Sequence, residues 1–456
     1  MKQLRILAPA AILGYGFPED SFERGLSEEP HLIAVDAGST DPGPNYLGSG
    51  KSFTDRSAVK RDLRIMLKAS VKRRIPLVIG SAGGAGAAPH LAWTQSIIEE
   101  IAAEDALSFR MAIIPTDVPK TLLHDALTAG SVVSMPCAPD LTHDAIEQST
   151  HVVAQIGVEP LADALAAGAD VVLAGRAYDP ACFAALPILK GFDPGLALHC
   201  GKILECAALA ASPGSGADCA LGILEEDRFL LKALSPKRGF SVLSTAAHTM
   251  YEKSDPYLLP GPGGLLDLRQ CMFVEAGQGI VEVRGSRYVE SERPMIKIEG
   301  ARPVGFRTVC IAGIRDPIMI ESIRKILDDV LREIRKTYAA KPIGQVYFHR
   351  YGLDGVMGAG EPHVPRVPHE IGLVIEAIAA TQTDADTLCS IVRSTLLHYG
   401  YPGRIATAGN LALPFSPSDL PAGPVYEFSV YHLIPQVAIP DFPSHFINVG
   451  ADSRTA

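Results

Sequence analysis

Residues 75–95 read IPLVIGSAGGAGAAPHLAWTQ, and this stretch decides the fold class. A short apolar run gives way to a Gly-rich turn and then, near Pro89, to a segment with helical period. The run shows little polar alternation, as expected of a strand covered on both faces inside a parallel sheet. The same succession recurs on either side. Further candidate strands are LRILAPAAIL, HLIAVDAG, FRMAIIPTD, THVVAQIG and ADVVLAGR. Between them SAVKRDLRIMLKASVKRR, VEPLADALAAG and PACFAALPILKG read as helices. Residues 1–230 therefore read as an α/β domain with Gly-rich loops and a mostly parallel, doubly wound sheet. A barrel is the alternative for GADVVLAGR, but uneven loops fit an open sheet better.

Past residue 230 the texture changes. DRFLLKAL, TAAHTMYEK, QCMFVEAG, GIVEVRGSRYVE and MIKIEG are rich in β-formers and turns, so 231–302 reads as a β-rich connecting region. Residues 303–440 give the order β-α-β-β-α-β, a ferredoxin-like α+β domain, and 441–456 form a C-terminal tail.

Of the 456 residues 47% are apolar and 20% charged, with a net charge of −10, which excludes a disordered chain and general affinity for nucleic acid or anionic membrane. The eight cysteines are irregularly spaced with no CxxC, and read as reduced, mostly buried thiols of a cytoplasmic protein. No apolar run reaches the ~18 residues of a membrane helix. The start, MKQLRILAPAAILGYGFPED, fits a strand, a Gly turn and a helix start better than a secretory signal.

Four segments could carry chemistry. DAGSTDPGPNYLGSGKS (36–52) puts Asp36, Ser39, Thr40 and Asp41 at the carboxyl end of a core strand, where open α/β sheets bind ligands. Asp36 and Asp41 could share acid–base work or hold a metal, with Ser39 and Thr40 contacting substrate; an Asx-type turn is the bland alternative. Lys51 and Ser52 match the end of a P-loop, but Asn45 stands where its first glycine belongs. In the second segment Ser81, Gly83, Gly84 and Gly86 could bring backbone NH groups to an anion, or simply pack strand against helix. Pro89 breaks GxGxxG, so neither an NAD nor an ATP motif is supported.

Third, Arg176, Tyr178 and Asp179 close an apolar strand. Arg176 reads as a carboxylate or phosphate clamp, Tyr178 and Asp179 as proton carriers, against a simple Arg176–Asp179 ion pair. Fourth, His199, Lys202 and Cys206 share a helix face, with Glu205 three residues from Lys202. A desolvated Lys202 could act as base or polarise a carbonyl; a surface Lys–Glu pair is the alternative. A Gly/Pro segment with His349, His363 and His369 reads as a lid or a plain connection. There is no HExxH and no GxSxG.

At DAGSTDPGPNYLGSG, GSAGGAGAAPH, GRAYDPACFAALP and HCGKILECAALAA the chain resembles the acyclic terpene utilisation protein A (AtuA-like) family. The resemblance implies an N-terminal α/β region followed by a ferredoxin-like domain. It also implies catabolism of branched carboxylic acids or their CoA thioesters, with a small companion subunit or domain.

Together these readings lead to a carboxylate or acyl-CoA enzyme, a lyase of the hydratase/dehydratase type. Asp36, Asp41, Tyr178, Asp179 and Lys202 are its expected catalytic groups, and Ser39, Thr40, Ser81, Gly83, Gly84, Gly86 and Arg176 its substrate contacts. The alternatives are a metal-dependent hydrolase or isomerase with Asp36, Asp41 and Asp179 on a divalent ion, and a non-catalytic acyl-binding subunit of a two-component complex. The cofactor is left open. A homo-oligomer is expected, with no nucleic-acid or membrane partner.

Overall fold

In the computed structural model the described residues are 3–136, 138–338, 343–362, 367–405, 407–439 and 441–450. The chain divides into two units, Met1–Arg302 with Phe428–Ala456, and Pro303–Glu427.

The first unit opens with β1 (Leu4–Ala8), α1 (Glu19–Ser27), β2 (Leu32–Asp36), α2 (Pro44–Ser49), α3 (Arg56–Arg73), β3 (Leu77–Gly80) and α4 (Ala88–Glu104). It continues through β4 (Phe109–Ile114), α5 (Lys120–Thr128), β5 (Val133–Ser134), α6 (His143–Gln148), β6 (His151–Ala154), α7 (Glu159–Ala166) and β7 (Val171–Ala174). Then come α8 (Ala181–Leu189), α9 (Pro194–Leu204), β8 (Ala220–Leu224), β9 (Phe229–Ala233) and α10 (Val242–Thr249). Short strands follow: β10 (Leu258–Gly261), β11 (Gly264–Asp267), β12 (Met272–Gly277), β13 (Ile280–Arg284) and β14 (Arg287–Glu290). The rest of the chain is β15 (Met295–Ile314), α11 (Pro317–Thr337), β16 (Gln345–Tyr351), β17 (Ile371–Ala379), α12 (Gln382–His398), β18 (Asp419–Pro435) and β19 (His445–Val449).

The fold is mixed α/β. Among the described residues the main sheet has ten strands in the order β12-β13-β9-β8-β1-β2-β3-β7-β4-β19. The central run β1-β2-β3-β7-β4 is parallel. Alternate side chains serve opposite cores: Leu32, Ala34 and Val78 pack with α7, α8 and α9, while Ile33, Val35, Leu77 and Ile79 pack with α1, α3 and α4. Burial on both faces is why these strands read as unbroken apolar runs.

Several expectations are corrected. The sheet is mixed rather than mostly parallel, because β8, β9, β13 and β12 extend it with antiparallel pairs. The 231–302 stretch is therefore in part a continuation of the same sheet, and TAAHTMYEK contains the end of a helix, α10, started by a reciprocal capping box between Ser241 and Ser244. The THVVAQIG strand, β6, stays out of the main sheet and pairs antiparallel with Ile298–Ala301. The segment read as a tail supplies β19, which pairs antiparallel with β4.

In the second unit the order of elements is β-α-β-β-α-β, with neighbours β16-β17-β15-β18. Phe306–Ile314 pairs antiparallel with β17, and β17 with β16. Cys310, Ala312, Leu373 and Ile375 face α11 and α12. Asp316 caps α11 by accepting from Met319 N at 2.8 Å.

Candidate active site

The segments that follow β1, β2, β7 and α9 border a cleft of about 580 Å³, lined by Asp36, Ser39, Asp41, Asp179, Glu205 and Glu252 together with Ile12, Tyr15, Phe53, Leu209 and Tyr251. All of these belong to the first unit.

Asp36 ends β2 at 5% exposure. Its Oδ2 accepts from Gly38 N at 3.1 Å, while Oδ1 is buried with no hydrogen-bond partner. Burial, then the nearby Asp179, hold its pKa well above the carboxylate range against the pull of Arg176. Ser39 and Asp41 form a small turn on the cleft wall, with Ser39 Oγ donating to Asp41 Oδ2 at 2.8 Å. Thr40 points away, into the core, and donates to Glu299 Oε1 at 2.8 Å.

Arg176, expected to clamp a substrate anion, already has its partners within the protein. Its Nε donates to Glu299 Oε2 at 2.9 Å, and its Nη1 donates to Asp179 Oδ1 at 2.8 Å, the Ala177 carbonyl at 2.7 Å and Ser81 Oγ at 3.2 Å. Glu299 is fully buried and also receives Lys297 Nζ at 2.7 Å. Burial alone would raise the Glu299 pKa; Arg176 and Lys297 outweigh it and pull it down to about 2. Arg176 is thus a strut that fixes Asp179, with an ion pair where a substrate clamp was expected.

The Gly-rich loop is closely packed. A Cβ on Gly86, whose φ is +73°, would lie 2.1 Å from Arg176 N, so the loop backbone touches the end of β7 directly. A Cβ on Gly83 would meet His90, and one on Gly84 would meet Phe53. Neither these glycines nor Ser81 line the cleft. At the P-loop-like tail the carbonyls of Tyr46 and Lys51 lie 3.1 and 3.0 Å from His90 Nε2, so acceptors rather than donors face inward here.

On α9, Lys202 is buried and bonded to Glu205 Oε1, with Glu252 Oε2 at 3.7 Å. Burial opposes its charge while Glu205 and Asp179 favour it, so Lys202 is tied to Glu205 where a free base was expected. Glu205 lines the cleft at 5% exposure, and its Oε2 is buried without a partner. Burial raises its pKa well above the usual range in spite of Lys202. Tyr178 packs beside the site against Gly261 and does not line the cleft; burial raises its hydroxyl pKa.

Sequence reading missed Glu299, Glu252 and the role of Glu205. For Glu299 a signal was present: an acid near the end of MIKIEG, on a strand whose neighbours Ile298 and Gly300 are also buried. His349 pairs with Glu376 in the second unit, His369 is exposed there, and His363 lies outside the described residues. Among the described residues no three of His, Cys, Asp and Glu are grouped as a metal ion requires, and no helix is long and apolar enough to cross a membrane.

No curated protein and no solved structure matches the chain. The family model of acyclic terpene utilisation family protein AtuA matches residues 50–216, a span that holds the Gly-rich loop, the Arg176–Asp179 turn and the Lys202–Glu205 pair.

Proposed function

We propose that the cleft is an acid–base site of a catabolic enzyme acting on a branched acyl compound, with hydro-lyase chemistry. The observation that carries this reading is the pairing of two proton-rich carboxyls, Asp36 and Glu205, each with an oxygen buried and unpartnered, with a third carboxyl, Asp179, held by Arg176 in the same cleft. Two carboxyls kept protonated by burial beside one held in an ion pair can divide acid and base work on one surface.

In the dehydration direction Asp179 takes the proton from the carbon beside a carbonyl. The free Glu205 oxygen donates a hydrogen bond to the developing enolate oxygen, as a neutral carboxylic acid can. Asp36 then delivers its proton to the departing β-hydroxyl: C–H and C–O bonds break, a C=C bond forms and water leaves. Hydration is the reverse. The AtuA match, through its association with acyclic terpene utilisation, favours branched acyl substrates.

The test is hydration and dehydration of branched enoyl and 3-hydroxyacyl thioesters and free acids by the wild type, Asp36→Asn and Asp179→Asn. Turnover of one class, lost in both variants while the fold survives, supports the reading. Full activity in either variant overturns the role of that residue.

A further inference from the structure

A site built to hold an anion presents Arg, Lys or His to it. The cleft presents none: its lining includes five acidic side chains, Asp36, Asp41, Asp179, Glu205 and Glu252, and no basic one. The cations in its vicinity are committed elsewhere. Arg176 is held by Glu299 and Asp179, and Lys202 by Glu205, with Glu252 at 3.7 Å. Neither Arg176 nor Lys202 lines the cleft, and Lys253 and His248 do not line it either.

The five carboxyls do not weigh equally. Asp36 and Glu205, each 5% exposed, keep one oxygen buried without a hydrogen-bond partner. Burial raises the pKa of both, so in protonated form each is a donor that adds no charge. Arg176 meets the charge of Asp179 at 2.8 Å. The exposed Asp41 accepts from Ser39 Oγ at 2.8 Å and, among the described residues, has no cation within ion-pair distance. Glu252, 46% exposed, shares its one cation, Lys202, with Glu205. Beside these groups the lining is apolar: Tyr15 and Leu209 are 47% and 42% exposed, and the Tyr15 and Phe53 rings lie 6.4 Å apart. A branched hydrocarbon chain can cover those surfaces with no polar group to desolvate.

We propose that the cleft selects an uncharged acyl compound, a thioester or amide, over the free carboxylate of the same carbon skeleton, and that Asp41 and Glu252 enforce the choice. A carboxylate entering the cleft sets like charge against like charge, with no cation in the lining to offset it. A neutral carbonyl oxygen accepts from the buried carboxyls, whereas an ammonium would set donor against donor there. The choice concerns the acyl head inside the cleft. That the selected compound is the substrate rests on the proposed function; the charge preference does not.

The experiment is calorimetric titration of the full-length protein at neutral pH with isovaleramide, isovalerate and isoamylamine, which share one branched skeleton and differ in charge at the head. Isovaleramide is expected to bind best, about tenfold or more ahead of isovalerate. In the double variant Asp41→Asn with Glu252→Gln that gap is expected to narrow by about threefold or more. Isovalerate bound as tightly as isovaleramide, isoamylamine bound best, no binding of any of the three, or an unaltered gap in a natively melting double variant would overturn the proposal. If the double variant does not fold, the order of the three ligands on the unaltered protein decides. Turnover of a branched enoyl thioester by a protein that binds amide and acid alike would remove the charge preference and leave the mechanism standing. A clear preference for the amide with no turnover of any thioester would remove the mechanism alone.

Discussion

Asp36 and Glu299 both lie close to Arg176, yet they respond to pH in opposite directions. Asp36 is pushed up by burial, so between the ordinary aspartate range and its raised value the folded state holds a proton that the unfolded state has released. Stability then falls as pH rises through that window. Glu299 is pulled down from 4.5 to about 2, so its contribution is complete above 4.5 and is lost as pH falls toward 2. Asp36→Asn should therefore flatten the decline in thermal stability above the ordinary aspartate range while cutting turnover by roughly 100-fold or more. Melting curves from about pH 4 to 9 that superimpose on the wild type would contradict the burial argument. Glu299→Gln leaves the Arg176 charge with one partner fewer and should cost about 3–5 kcal/mol in denaturant unfolding. At this scale the sequence showed that Asp36 and Asp179 follow apolar strands, because strand ends are marked by local turn residues. It could not show that Arg176 is taken, because Glu299 lies 123 residues away.

At the scale of elements, β2, β3 and β7 were legible from their unbroken apolar runs. The helix α11 was legible from its buried stripe of Met319, Ile320, Ile323, Ile326, Leu327, Val330 and Ile334, which recurs at the three- and four-residue steps of one helix face. The run HVVA in β6 has the same texture as a core strand, yet it joins another ladder, since composition does not specify a partner. The helix α10 was hidden by its Thr and His content, although Ser241 at its start is a cap residue. The loop between β3 and α4 gives the clearest test at this scale. Gly86→Ala drives a Cβ into the Arg176 backbone at a left-handed φ and should destabilise the protein by about 1–3 kcal/mol or more. Because that contact also sets the Arg176 turn, turnover should fall with it. Unchanged unfolding midpoints and rates would show that the loop has room to shift.

For the whole molecule, one edge of the main sheet is closed by β19, whose Phe446 lies opposite Ala112 and under the Arg110 guanidinium, 4.1 Å from the ring centroid. Deleting residues 445–456 should bare the β4 edge, lower the melting temperature by about 3 °C or more and promote association, as light scattering would register. An unchanged scattering profile would mean that the edge needs no cover. The Arg176–Glu299 pair has a different consequence, one that concerns the ribosome. Arg176 is made 123 residues before Glu299. At the usual pace of synthesis it spends roughly 6 to 25 s without its buried counter-ion. The contacts of Arg176 with Thr116, Ser81 and Asp179 can form in that time, while the charge balance that Glu299 supplies is a late product of translation.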